Sequence, residues 1–246
     1  MKWNLSDITG RADALYAGRE RVENVRACVE LLEGVAPRDD FEIAWRLGRA
    51  LFFLGQEEEH KEQARSLHAQ GVAACAIAAR SLPQRVEGHF WLGVNLALQA
   101  QATKRQLMAL ALALRAKRSL ERAARINPAY HGAGPLRVLA RLEHKLPRVF
   151  GGGPVRARAD FTRAIELAPA NTVTRLYFAE MLLDAGDLAR ARSELETILN
   201  APLDAAWAFE TERDSRLARE MLRRLDAKAE AELTGMDRRD RIKKRW

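Results

Sequence analysis

Two stretches with the same spacing of large and small residues decide the fold: AWRLGRALFF at positions 44–53 and HFWLGVNLAL at positions 89–98. A shift of 45 residues superimposes them and places a Leu-Gly pair at the centre of each. The same shift aligns a longer segment of each repeat, in which small residues four and three apart precede a proline. The aligned pairs are Trp45/Phe90, Leu47/Leu92, Gly48/Gly93, Leu51/Leu96, Gly71/Ala116, Cys75/Leu120, Ala78/Ala123 and Pro83/Pro128. An internal repeat of this length is typical of a helical repeat protein.

The apolar positions of these segments recur every three or four residues, which is the period of one face of an α-helix. Small residues such as Gly93 and Ala116 suit the point where two helices cross, because they allow the axes to approach closely. Each repeat is therefore predicted to form a helical hairpin. No stretch alternates between polar and apolar residues with a period of two, so we predict an all-α fold.

Prolines at positions 37, 83, 128, 169 and 202 mark the ends of successive units, because proline cannot continue a helix interior. The last unit has nearly the length of a tetratricopeptide repeat, a helix–turn–helix unit that it resembles. The longer units predict lengthened second helices. We predict a single superhelical domain over residues 1–235, followed by a basic disordered tail over 236–246. Its units are expected at roughly 5–37, 38–83, 84–128, 129–169 and 170–202, with a capping helix at 204–234.

The chain of 246 residues has 41 Lys or Arg and 33 Asp or Glu, for a net charge of +8. Between positions 104 and 158 the sequence has thirteen basic residues and two acidic ones. This basic centre could be a solvated face, a steering field for an acidic partner or anionic ligand, or an RNA-binding surface. The RNA hypothesis is the weakest, because few aromatic residues lie among the arginines.

The longest strongly apolar run, Leu107–Leu114, is much shorter than the roughly 20 residues that a membrane-spanning helix needs. We expect it to be buried between helices, with the wall of an apolar channel or an oligomer contact as the alternative. A homo-oligomer is thus one possible state.

No sequence signature of catalysis is present. The five histidines lack the spacing of a zinc site on one helix face, and neither a Walker loop nor a nucleophile elbow occurs. Cys28 and Cys75 lie in apolar helical patterns and are expected to be core thiols. The glycines at positions 151–153 are interpreted as a turn between helices, with an anion site at the following helix N-terminus as the alternative. We therefore predict a protein that is not an enzyme and that has neither a cofactor nor a metal site.

Trp91 and Asn95 are the first candidate binding residues. Phe90 already takes the position equivalent to Trp45, so Trp91 and Asn95 form an i, i+4 pair on a neighbouring helix face. First helices line the concave surface of a repeat superhelix, where such a pair could contact a ligand. Core packing is the competing interpretation for both.

Residues 88–202 resemble a narrower group, the TRAP-transporter-associated tetratricopeptide family, or T component. The resemblance rests on the segments HFWLGVNLALQA (89–100), ARINPAYHGAGPLRVLARLEHKLP (124–147), ARADFTRAIELAP (157–169) and LYFAEMLLDAGDLARARSELETIL (176–199). Asn-Pro-x-Tyr followed by Gly-Pro-x-Arg is the most specific part. Among its residues, Tyr130 and Arg137 join Trp91 and Asn95 as candidate ligand- or partner-binding positions. Alternatively, Tyr130 wedges between helices and Arg137 hydrogen-bonds loop carbonyls.

The resemblance implies a non-enzymatic accessory protein of a tripartite ATP-independent uptake system. Its partner would be the substrate-binding component, and a small apolar or anionic organic ligand would be its cargo. The alternative function is a cytosolic adaptor with a basic groove for acidic segments of a partner protein.

The start of the chain shows neither a signal peptide nor a lipobox cysteine, so we expect a cytoplasmic protein as the chain stands, and a periplasmic one if the true start lies upstream.

Overall fold

The structure is a computed structural model that describes residues 4–35, 39–202 and 204–243, with side chains described as far as Lys228. The described residues form eleven α-helices and two 3-10 turns, and no strand, which confirms the all-α prediction. The helices are α1 (Leu5–Ala17), α2 (Val22–Glu33), α3 (Phe41–Glu57), α4 (Lys61–Ser81), α5 (Val86–Gln101), α6 (Gln106–Ile126), α7 (Tyr130–Lys145), α8 (Pro154–Leu167), α9 (Thr172–Asp184), α10 (Leu188–Leu199) and α11 (Ala208–Lys243).

The helices group into two compact units, which are residues 1–168 and 169–246. The first unit contains the hairpins α1–α2, α3–α4, α5–α6 and α7–α8, and the second contains α9–α10 followed by α11. Each of the five repeat units expected from the sequence thus corresponds to one pair of helices. Pro83, Pro128 and Pro169 each follow the second helix of a pair, whereas Pro37 lies outside the described residues. The grouping of all the repeats into a single domain stays a prediction.

The 45-residue repeat is visible in how the helices cross. A Cβ atom on Gly93 would lie 2.6 Å from the Cγ of Leu120 and 3.4 Å from the carbonyl oxygen of Ala116, so α5 and α6 meet at the predicted point. In the preceding hairpin, a Cβ on Gly48 would lie 2.0 Å from the Sγ of Cys75. Gly48 and Cys75 are the repeat equivalents of Gly93 and Leu120. The two hairpins therefore share one packing geometry that a larger residue at either glycine would disturb.

The second helices of these two hairpins are lengthened, as expected. Helices α4 and α6 have 21 residues each, whereas α10 has 12. The first helix α3 begins at a side-chain cap, because Asp40 Oδ1 accepts hydrogen bonds from the backbone N–H groups of Glu42 (2.8 Å) and Ile43 (3.2 Å). Such a cap satisfies amides that have no partner inside the helix.

The main core of the first unit lies between α3, α4, α5, α6 and α7. Its buried members are Phe41, Ala44, Trp45, Cys75, Ala78, Val86, Phe90, Trp91, Val94, Leu120, Ala123 and Leu139. Cys28 and Cys75 are buried free thiols, which confirms the prediction for both. Burial raises the pKa of the Cys28 thiol to about 11, so it stays protonated at neutral pH.

The run Leu107–Leu114 is only partly buried, which corrects the expectation of burial along its whole length. Leu112 and Ala113 pack with Leu96 and Ala100 in a second cluster of the first unit. Leu107, in contrast, is 85% exposed. The run occupies the first turns of α6. Leu107 is exposed because the start of this helix extends beyond the neighbouring residues that cover its middle.

In the second unit, α11 packs against the α9–α10 pair and caps it, as predicted. Ala218 is buried in a cluster with Leu176, Ala179, Leu195 and Ile198. The Oγ1 of Thr172, at the start of α9, donates a 2.7 Å hydrogen bond to Asp214 of α11. The capping helix thus covers apolar surface that an end repeat would otherwise expose.

The helix α11 continues to Lys243, beyond the end expected at residue 234. The backbone of residues 236–243, which we expected to be disordered, is therefore helical, while 244–246 lie outside the described residues. Residues 226–243 contain no proline and are rich in Ala, Glu, Arg and Lys, which favour helix formation. Residue type thus accounts for the longer helix.

Candidate functional site

Trp91 is buried in the core of the first unit, with 1% of its surface exposed. Its indole Nε1 donates a hydrogen bond of 3.2 Å to the phenol oxygen of Tyr130, which lies partly buried at the start of α7. Burial raises the pKa of Tyr130 to about 12, so the hydroxyl remains protonated and can accept this bond. Trp91 and Tyr130, two of the residues singled out from the sequence, are therefore in direct contact.

Asn95 is fully buried and joins three helices. Its Nδ2 donates hydrogen bonds to the carbonyl oxygens of Gly48 on α3 (3.0 Å) and Trp91 on α5 (2.9 Å). Its Oδ1 lies 3.4 Å from the Nδ1 of His68 on α4. Burial lowers the pKa of His68, and the Asn95 bond only partly opposes this effect, so the ring is neutral at physiological pH. A buried amide with these partners fixes how the three helices pack.

The start of α7 contains a short left-handed turn. His131, Gly132 and Ala133 have φ values of 53°, 60° and 57°, and the right-handed helix follows from Gly134 and Pro135. For residues other than glycine this conformation costs about 1–2 kcal/mol each. Pro135 stands in the first right-handed turn, where its missing N–H leaves no intrahelical bond unmade.

Arg137 stabilises this turn from the following helix. Its side chain is buried, and its Nη1 donates a 2.8 Å hydrogen bond to the carbonyl oxygen of Gly132. Its Nη2 lies 3.5 Å from the carbonyl oxygen of His131. The alternative interpretation of Arg137, as a residue that binds loop carbonyls, is therefore confirmed.

The rings of α5 surround the turn. The centroid of Trp91 lies 5.0 Å from that of His131, and Phe90 lies 5.4 Å from Tyr130. Burial, and to a smaller extent the positive charges of Arg137 and Arg49, lower the pKa of His131 to about 3. The imidazole is thus an uncharged member of an aromatic cluster.

An arginine pair that the sequence did not reveal lies on α3, next to this cluster. The guanidinium of Arg46 binds both carboxylate oxygens of Asp13 on α1, with Nη2 2.8 Å from Oδ2, and Arg49 Nη2 lies 2.7 Å from Oδ1. The Arg49 guanidinium stacks 4.0 Å from the Tyr16 ring, and that of Arg46 lies 4.3 Å from Trp45. Burial raises the pKa of Asp13, but the hydrogen bonds from both arginines outweigh it, so the net shift is downward.

We refer to Asp13, Tyr16, Trp45, Arg46, Arg49, Trp91, Tyr130 and His131 as the arginine–aromatic cluster. Both guanidinium groups lie over the Trp45 ring, and Trp45 belongs to the same buried core as Trp91, against which Tyr130 packs. Guanidinium groups held against aromatic rings recognise carboxylates through paired N–H donors. Among the described residues, no group of three or more His, Cys, Asp or Glu side chains could hold a metal ion. The arrangement is suited to binding.

Of the four candidates from the sequence, Trp91, Asn95 and Arg137 are buried, and Tyr130 is partly exposed. Contact of any of them with a ligand or partner stays a prediction. Arg46, Arg49 and Asp13 were missed because Asp13 lies 33 residues before Arg46 along the chain. The i, i+3 spacing of the two arginines on one helix face was the only available signal.

A family model described as TRAP transporter T-component matches residues 45–229, which is most of the chain. The chain belongs to this family. This match confirms the T-component resemblance seen in the sequence. The matched region includes the arginine pair, Trp91, Asn95 and the left-handed turn.

The fold of this T-component is similar to that of a solved repeat protein. The crystal structure of a thermophilic TPR protein from Thermus thermophilus superimposes with a TM-score of 0.64 at 18% sequence identity. The match covers 85% of this chain and 97% of the other. No curated protein matches the sequence. Within the described residues, no helix is both long enough and apolar enough to cross a membrane.

Proposed function

We propose that this T-component is a non-enzymatic accessory protein of a tripartite ATP-independent solute uptake system, which acts by binding the substrate-binding component. The match of residues 45–229 to the T-component family carries this proposal. Helical repeat proteins act through extended surfaces rather than through reactive groups, which supports a binding role. Such a role belongs to the periplasmic side of the membrane.

The proposed contact surface is the arginine–aromatic cluster. Tyr130 would present its partly exposed ring, and Arg46 and Arg49 would offer guanidinium donors to a carboxylate. Trp91, Asn95 and Arg137 would support this surface from within, because they hold Tyr130, α3 and the left-handed turn in place. A small organic anion is the ligand class that fits the same groups, since Asp13 already shows a carboxylate bound by both arginines.

The test is the affinity of the purified T-component for the substrate-binding protein of the same uptake system, measured by interferometry. Replacing both Arg46 and Arg49 with glutamine should weaken binding at least tenfold, because a charge-assisted hydrogen bond contributes about 1.5–3 kcal/mol. Arg163→Gln, on the exposed side of α8, is the matched control and should bind like the wild type. Circular dichroism would confirm that the double variant is folded. Equal affinity of the double variant and the wild type would contradict the proposed surface.

The alternative is a cytosolic adaptor that binds acidic partner segments. One observation favours it: Arg115, Arg118, Arg122 and Arg125 are exposed along a single face of α6, and none forms an ion pair with another described residue. Replacing all four with glutamine separates the two functions. Weaker binding of an acidic peptide by this variant, in a protein that has no measurable affinity for the substrate-binding protein, would favour the adaptor.

A further inference from the structure

The three most exposed large hydrophobic side chains of the described residues lie in two short segments of the first unit. Leu107 is 85% exposed at the start of α6, Val149 is 84% exposed in the turn after α7, and Val155 is 81% exposed at the start of α8. Met108 and Phe150 are exposed beside them, and no other large hydrophobic residue with a described side chain exceeds half exposure. Such a concentration of apolar surface marks an interaction site.

These segments lie at the same end of the α5–α8 bundle. The first segment directly follows the turn between α5 and α6, and the second spans the turn between α7 and α8. Leu146, the residue after α7, packs with Leu112 and Ala113 in the first turns of α6. One turn further along, Lys117 Nζ of α6 lies 2.9 Å from Glu143 Oε1 of α7. The end of α7 therefore runs beside the start of α6, and Leu107 and Val149 project from one end of the unit.

The second segment is a firmly folded turn. The backbone N–H groups of Phe150 and Gly152 both donate to the carbonyl oxygen of Pro147. The N–H of Gly153 donates a 2.7 Å hydrogen bond to the backbone carbonyl oxygen of Glu143. Gly151 has a φ of 79°, and a Cβ on Gly152 would lie 2.0 Å from the carbonyl oxygen of Leu146. The exposure of Val149 is therefore imposed by the backbone fold.

The charged residues around these apolar side chains are basic. Lys104, Arg105, Arg148 and Arg156 are exposed, and residues 102–111 and 144–158 contain no aspartate or glutamate. Glu62 of α4 marks the edge of this surface, where its carboxylate lies 3.8 Å from Lys104 Nζ. We call the surface formed by Lys104, Arg105, Leu107, Met108, Arg148, Val149, Phe150, Val155 and Arg156 the basic–apolar end.

We propose that the basic–apolar end binds reversibly to the surface of an anionic lipid bilayer. Leu107, Val149 and Val155 insert at the level of the headgroups, and the four basic side chains contact lipid phosphates. The chemistry of the basic–apolar end matches that of a bilayer surface, which offers anionic phosphates to the basic side chains and an apolar layer beneath them to the hydrophobic ones. Apolar side chains flanked by Lys and Arg are typical of proteins that lie on a membrane surface.

The experiment is flotation of the full chain with vesicles of phosphatidylcholine alone or of phosphatidylcholine with one third phosphatidylglycerol. The wild type should bind the anionic vesicles at least tenfold more tightly. Replacing Leu107, Val149 and Val155 together with serine should weaken that binding at least tenfold. Each basic residue replaced by glutamine should weaken it about fivefold, since one Lys or Arg near an anionic surface contributes about 1 kcal/mol.

The matched control replaces Leu188 and Leu217, two exposed leucines of the second unit, with serine, and should bind vesicles like the wild type. All substituted side chains are exposed, so melting temperatures should not change. The proposal is overturned if the triple serine variant binds anionic vesicles as tightly as the wild type, because binding would then reflect only the net charge of +8. The proposal is also overturned if the wild-type protein binds neither the neutral nor the anionic vesicles. Neither result bears on the arginine–aromatic cluster.

Discussion

Asn95 shows what a single side chain does inside the first unit. It is completely buried, yet its amide is satisfied by the Gly48 and Trp91 carbonyls and by His68. Removing such an amide leaves buried hydrogen-bonding groups without a partner, and this costs free energy because water cannot reach them to replace the lost bonds. Its position between three helices makes it a determinant of the surface on which Tyr130 lies.

Asn95→Ala should therefore destabilise the protein by about 1–3 kcal/mol, the cost of leaving buried polar partners unpaired. Urea unfolding followed by circular dichroism measures the change. Gln106→Ala, which removes an exposed amide from the same unit, should stay within about 0.5 kcal/mol of the wild type. If both variants unfold at the same urea concentration as the wild type, Asn95 does not hold the three helices together.

Asp160 on α8 makes the stability depend on pH. Burial, and then the charge of Glu143, raise its pKa to about 6, although Lys117, Arg163 and Arg156 act in the opposite direction. Because the folded state binds this proton more tightly than the unfolded chain, stability from this group is complete at low pH and is lost as pH rises from about 4 to 6.

Asp160→Asn removes this charge and should melt at a higher temperature than the wild type at pH 7.5. The difference should shrink towards zero near pH 4, where the native carboxyl is protonated. Thermal melts at a series of pH values test the expectation. A variant that is less stable than the wild type at pH 7.5 would show that the carboxylate is stabilised by its basic neighbours.

At the scale of elements, the crossing of α5 and α6 was predictable, because the repeat singled out Gly93 and Ala116 as small residues; the contact of Gly93 with Leu120 was found only in the structure. Gly93→Val should cost about 1–3 kcal/mol through overpacking at this crossing. Gly10→Val on α1 is the control, since nothing lies within 4 Å of a Cβ at that position. Similar unfolding midpoints for the two variants would mean that the helices can separate without cost.

The left-handed turn before Pro135 was not predictable from the sequence. Glycine at positions 132 and 134 indicated a break, but His131 and Ala133 are residues that seldom adopt positive φ. Their conformation depends on Arg137 from the next turn and on the α5 rings, which are about 40 residues away. Proline and glycine thus located the break, whereas tertiary contacts determined its shape.

At the scale of the whole chain, the sequence correctly indicated a family of helical repeats but gave an incomplete view of the basic centre. Some of its charges serve the fold: Arg137 braces the turn, and Lys117 binds Glu121 and Glu143. Others form the exposed face of α6 and the basic–apolar end. A count of charges along the sequence does not separate these roles, because burial decides which charges remain available to a partner.

The central claim is that the T-component binds its partner through the arginine–aromatic cluster. Hydroxyl-radical footprinting, with and without the substrate-binding protein, measures it directly through the oxidation rates of individual side chains. The claim predicts slower oxidation of Tyr130 in the complex, with no change at Met108 and Phe150 of the basic–apolar end. Protection of Met108 and Phe150 with an unchanged rate at Tyr130 would contradict it.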